Sequence, residues 1–151
     1  MRVSAKADYA LRGVLEIAAA EQPPIKRDEI AAAQRIPVKF LEAILGELRN
    51  AGIVASHRGS EGGYSLARPA EEITIADVIR AIEGPLASVR DVRPEALDYE
   101  GVAAPLREVF VALRMNMRAV LESVTLADVV AGRLSPEIEQ LIKRPEAWES
   151  H

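Results

Sequence analysis

Residues 35–54, RIPVKFLEAILGELRNAGIV, constrain the fold more than any other stretch of this chain. Pro37 follows Ile36, and proline suits the first turn of a helix, where its missing N–H has no partner to lose. Phe40, Leu41, Ile44, Leu45 and Leu48 then recur at helical spacing as a stripe expected to be buried, and Gly52 stands where a left-handed C-terminal cap is needed. The spacing predicts a helix of about 13 residues. A shorter helix is expected just before it, over 27–34, with Ile30 and the small Ala31–Ala33 run on its inner side. Two helices joined by so few residues make a helix-turn-helix.

A hairpin is expected next, at 53–56 and 64–67, because IVASH and YSLA suit pleated strands and Glu61-Gly62-Gly63 suits the bend between them. Upstream, Ser4 is the expected N-cap of a first helix that runs to Ala20 and is stopped by the prolines of EQPP. Downstream, Thr74 and Gly84 bracket another helix, and residues 85–104 show no period. Pro105 opens a long helix to about Ser123, and Thr125 starts a further one. The expected class is mainly α with a small two-stranded β-wing: a winged helix-turn-helix domain plus a long C-terminal dimerisation helix. The corresponding division is 1–84 for the DNA-binding domain, 85–104 for a linker or sensor loop, 105–135 for dimerisation helices and 136–151 for a tail.

Composition removes most chemistry. The 151 residues contain no cysteine and two histidines, His57 and His151. Thiolate nucleophiles, thiolate-bound metals and disulfides are therefore absent, and the usual nucleophile–base pairs lack parts. No enzyme, metal site or cofactor is expected. No apolar run approaches the roughly 20 residues that span a bilayer, and the charged N-terminus does not read as a signal peptide, so a cytoplasmic protein with no membrane partner is expected. Net charge is −4, but it is unevenly spread. Residues 1–68 hold 10 Lys and Arg against 8 Asp and Glu, whereas 69–151 hold 9 against 15. A mildly basic half that carries the helix-turn-helix, joined to an acidic half, fits a DNA-facing domain attached to something else.

On the helix after Pro37, the stripe leaves Lys39, Glu42, Ala43, Gly46 and Asn50 on the opposite face, where they could enter a major groove. That face is poor in base-reading atoms, so shape and phosphate contacts must supply much of any specificity. Arg58 on the wing suits insertion into a narrow minor groove, and the glycines would let the tip approach DNA closely. The blander reading is a solvated arginine on a turn made by glycines. The candidate DNA-contacting set is Arg2, Lys6, Pro37, Lys39, Phe40, Glu42, Ala43, Arg49, Arg58, Gly59, Gly62 and Gly63. In the long helix, Leu106, Phe110, Leu113, Met117, Val120 and Val124 form a heptad-like seam broadened by Val109 and Leu121. Such a seam suits a two-fold homodimer, which would place two recognition helices on a palindromic double-stranded site. A winged-helix adaptor that binds a protein and no DNA is the alternative.

The block L-R-x-x-G-I-V-x-S-x-R-G-x-x-G-G-Y-x-L-A, with MRVSAKADYAL before it and EITIADVIRAIEG and VTLADVV after it, resembles the IscR/NsrR/CymR family of bacterial winged-helix transcription regulators. The resemblance implies a DNA-binding homodimer, usually a repressor, whose long helix crosses its partner. It also implies DNA contacts at Glu42 and Arg58. Iron–sulfur members carry three cysteines in the segment that here reads PLASVRDVRPEALDYEGVAAP, so the resemblance breaks at the sensor. Asp8 matches a place where nitric-oxide-sensing members can use an acidic ligand; without thiols it is expected to make a local salt bridge or cap. Segment 85–104 and the groove beside the long helix could instead bind a small-molecule or protein effector: Asp91, Arg93, Asp98 and Tyr99 are polar enough to line a site, although loop residues are usually polar in any case. Cluster-free regulators of cysteine metabolism in the family work through a partner enzyme.

Overall fold

The Ser4 hydroxyl accepts the Ala7 backbone N–H at 3.1 Å and so satisfies one of the donors a helix start leaves open. It opens α1 (Ala5–Ala19) of a computed structural model that describes residues 2–150; Met1 and His151 lie outside the described residues. Helices α2 (Arg27–Gln34) and α3 (Val38–Asn50) follow, within a residue of the expected bounds. Arg35, in the left-handed conformation at φ 52°, turns the chain between them, and the buried Ile36 anchors the turn. Gly52, at φ +72°, releases the chain from α3.

Strands β1 (Val54–His57) and β2 (Gly63–Leu66) pair antiparallel, with Val54 opposite Leu66 and His57 opposite Gly63. The ladder sits one residue nearer the tip than expected. Ile53 is drawn into the core, and its N–H goes to the Leu48 carbonyl at 2.9 Å rather than to the ladder. Ile25 adds a further bridge to the hairpin, exchanging hydrogen bonds of 2.9 and 2.8 Å with Tyr64. The wing is thereby fixed to the residues that enter α2.

One core gathers Val14 and Ile17 of α1, Ile30 of α2, Leu41, Ile44, Leu45 and Leu48 of α3, then Ile53, Val54, Ile73 and Val78. Helix α4 (Ile75–Glu83) starts in a capping box, in which Thr74 and Asp77 each accept the other's backbone N–H. The long α5 (Leu106–Leu121) leads to α6 (Leu126–Ala131), capped in the same way by Thr125 and Asp128, and to α7 (Pro136–Ile142). α6 returns to the first core: Leu126 is fully buried there, and its N–H reaches the Ile73 carbonyl at 2.9 Å. The helix-turn-helix core therefore takes material from beyond residue 84.

Two readings of the apolar pattern need correction. Phe40 is 62% exposed, not part of the buried stripe, because the first turn of α3 projects past the helices that cover Leu41. Val124 lies beyond the end of α5 and is 7% exposed, with its carbonyl accepting the Ile75 N–H at 2.9 Å. It is core, not seam. Segment 85–104 is more ordered than its sequence suggests. Single 3-10 turns occupy Pro94–Ala96 and Gly101–Ala103, and Leu86, Pro94 and Leu97 are buried.

Candidate nucleic-acid interface

Helix α3 is held from behind. Leu41, Ile44, Leu45 and Leu48 fix one side of α3 in the core, which leaves Lys39, Phe40, Glu42, Ala43, Arg49 and Asn50 exposed on the other. Pro37 sits exposed at the helix start, and Gly46 is half-buried. The turn in front of α3 is locked by Arg12. Its guanidinium donates to the Gln34 carbonyl at 2.8 Å, pairs with Asp8 at 2.9 Å and stacks on the Tyr9 ring with 4.9 Å to the centroid. Asp8 thus makes the local salt bridge expected of it. Gln34 in turn donates its side-chain amide to Glu16.

The wing is shaped by close backbone approaches. A Cβ on Gly62 would come within 2.4 Å of the His57 carbonyl oxygen, and one on Gly63 within 2.4 Å of the Ile25 oxygen. Gly63 also sits at φ +149°. Both glycines are therefore required by the wing's own packing, and Gly62 is buried. Gly59 and Arg58 are exposed at the tip. His57 contacts the Ser65 hydroxyl across the hairpin at 2.7 Å and so belongs to the wing.

A residue that the sequence did not single out joins these parts. Arg27, at the start of α2, pairs with Glu42 of α3 at 3.2 Å, with Asp28 at 3.2 Å, and shares a groove with the wing residues Ser56, Gly59 and Ser60. It links the α3 face to the wing across one surface. Only this pairing of positions remote in sequence could have revealed it, and helical periodicity does not carry that signal.

The N-terminal candidates go elsewhere. Lys6 pairs with Glu47 at 2.6 Å, on the flank of α3. Arg2 lines a cleft with Ile79, Leu113 and Met117, between α4 and α5, and is not brought to the α3 face. Lys39, Arg49 and Arg58 form no ion pair among the described residues, so these cations of α3 and the wing tip are free to meet an outside partner.

Helix α5 has none of its 16 residues buried. One edge of its apolar stripe meets the protomer: Leu121 packs on Ala76, Ile79 and Leu86. Phe110, Leu113 and Met117 are half-buried along the middle, and Leu106, Val109 and Val120 leave the other edge exposed. Arg114 and Glu95 tie the helix to segment 85–104.

Residues 3–132 match a family described as Rrf2, iron-dependent transcriptional regulator. A Mycobacterium tuberculosis (strain H37Rv) protein that carries the inferred name HTH-type transcriptional regulator is 53% identical over 99% of this chain and 94% of its own length. The HTH-type transcriptional regulator CymR of Bacillus subtilis (strain 168) is 36% identical over 87% of this chain and 91% of its own. Among solved structures, B. subtilis CymR, titled the global cysteine regulator, superposes with a TM-score of 0.74 at 34% identity, over 89% of this chain and 99% of that one. T. potens IscR superposes at 0.69 with 28% identity, over 100% and 93%. The iron in the family's description is not matched by donors here. Segment 85–104 offers carboxylates and no thiol or imidazole, Glu95 is already held by Arg114, and no three His, Asp or Glu side chains converge among the described residues. These residues do not fit a thiolate-held iron–sulfur cluster.

Proposed function

This chain belongs to the Rrf2 family of helix-turn-helix transcriptional regulators, and we propose that it acts as a cluster-free homodimeric repressor that binds a palindromic operator in the cytoplasm. One observation carries this reading. The exposed face of α3 runs through Arg27 to the wing as one surface, and Lys39, Arg49 and Arg58 are exposed on α3 and the wing with no ion-pair partner among the described residues. Unpaired cations beside a helix that can enter a groove are what a phosphate backbone requires. Lys39 contacts a guanine edge or a phosphate, and Arg49 a phosphate. Pro37, Phe40 and Ala43 pack against the groove wall, and Arg58 enters the minor groove with Gly59 at the tip. Glu42 accepts from a cytosine amino group. Its pair with Arg27 is exposed, worth at most about 1 kcal/mol, and so is readily exchanged for a base contact.

The homodimer follows from α5. An amphipathic helix with no buried residue and one open apolar edge is incomplete in a single protomer. Leu106, Val109, Phe110, Leu113, Met117 and Val120 form the interface, and two-fold symmetry then sets two recognition helices on successive turns of DNA. Regulation, not catalysis, is the function, and the effector acts without a cluster.

Fluorescence anisotropy against DNA from upstream of the protein's own gene tests the reading, with a scrambled duplex as control. Tight binding that prefers the upstream duplex and weakens steeply with salt is expected. Equal, salt-insensitive signals from both duplexes would instead favour an adaptor that has lost DNA binding.

A further inference from the structure

Behind α5, on the side away from its open edge, a cleft of about 430 Å³ is walled by Arg80 of α4, Arg114 and Arg118 of α5, and Arg93 and Glu95 of the intervening segment. Gly84, Pro85 and Leu86 complete it. Four guanidinium groups share this space with one carboxylate in the wall. The next carboxylate, Glu122, is bonded by both Arg80 and Arg118, the latter at 3.0 Å, and Glu95 is bonded by Arg114. Asp77 also lies 3.9 Å from Arg80, but it is shared with Arg68, which brings its own positive charge. Arg93 forms no ion pair among the described residues. The cleft therefore keeps an excess of positive charge in a protein whose net charge is −4.

We propose that this cleft binds a small multivalent oxyanion, a phosphorylated metabolite or a di- or tricarboxylate, and that this anion is the effector. Guanidinium forks match phosphate and carboxylate oxygens in bidentate geometry, and Arg80 and Arg118 already converge on one oxygen of Glu122. Pro85 and Leu86 give an apolar wall for a carbon skeleton. The volume suits a metabolite. An entering anion takes Arg114 from Glu95 and shares Arg80 and Arg118 with Glu122. Those same pairs tie α5 to segment 85–104 and to α4. Occupancy thus replaces internal ties of the long helix with a ligand bridge, and changes how that helix is held against the winged-helix unit. Only the effector role rests on the regulator reading; the binding itself does not.

Isothermal titration calorimetry of the purified full chain, without DNA and at fixed ionic strength, tests the site with pyrophosphate, citrate and inorganic phosphate as probes. Saturable binding of pyrophosphate or citrate at one site per protomer is expected, and the tighter of the two identifies the headgroup chemistry. Arg93→Ala removes no internal pair and should weaken binding at least about tenfold, as loss of a charge-assisted contact does. Arg114→Gln should do the same, while Arg107→Gln, on α5 but outside the cleft, should bind as the parent does. Failure of both multivalent probes to bind at concentrations up to roughly 10 mM would overturn the proposal. So would an Arg93→Ala protein, folded by circular dichroism, that binds them unchanged. Because no DNA is present, either result leaves the operator reading to stand or fall separately. Adding the bound probe to the anisotropy titration then reads the effector role: operator affinity should shift for the parent and not for Arg93→Ala, and an unshifted parent would overturn that role.

Discussion

Arg58 is exposed at the wing tip without an ion-pair partner among the described residues, so its removal should cost binding and not folding. Arg58→Ala is expected to weaken the cognate duplex about tenfold or more by anisotropy, most at A/T-rich minor-groove positions, with an unchanged melting temperature. Glu42→Ala should relax base preference more than it lowers affinity, read by selection from a randomised duplex pool. It also frees Arg27 for phosphate contact. Gly63→Ala acts differently: the added methyl meets the Ile25 carbonyl, and the expected loss is about 1–3 kcal/mol of stability by chemical denaturation. The sequence revealed roles that depend on near neighbours. Ser4, Thr74 and Thr125 were readable as caps because each bonds a residue three positions on. Gly63 was readable only as a turn, since the atoms that exclude a side chain there belong to Ile25, remote in the chain. Arg27 was missed for the same reason.

Among the elements, α5 separates what periodicity can tell from what it cannot. Its spacing gave the apolar stripe and the helix, but not which edge the protomer covers. The stripe also continued numerically into Val124 after the helix had ended, because a heptad count does not register that the backbone there has turned to meet Ile75. Phe40 is the same error at a helix start: it has the right period and lies beyond the cover. The open edge makes the dimer testable with little risk to the fold. Val109 is 57% exposed, so Val109→Glu should leave the helical content intact and yield monomers on sedimentation. Leu113→Glu should also dissociate the dimer, with some loss of protomer stability because Leu113 lines the cleft against α4.

Over the whole molecule, the joint between the winged-helix unit and the long helix is ionic and therefore depends on pH. Hydrogen bonds from Arg80 and then Arg118 hold the Glu122 carboxyl below the usual glutamate range, and the Glu95 backbone N–H followed by Arg114 does so for Glu95. Groups with lowered values stabilise the fold above the unfolded glutamate value, and that contribution is lost as pH falls through the folded one. The melting temperature should therefore drop on acidification through and below the usual glutamate range, and Glu122→Gln should lower it at neutral pH while flattening the slope. The joint that holds the wing is not titratable: backbone hydrogen bonds between Ile25 and Tyr64 fix it to the entry of α2. If α3 and the wing read DNA as proposed, this attachment holds the wing in register with the helix-turn-helix, and that register becomes a ruler. In an operator bound as proposed, the narrow-groove step met by Arg58 should lie at one constant phase from the bases under α3, and sequences that present the same contacts at another phase must be bent into place or be passed over.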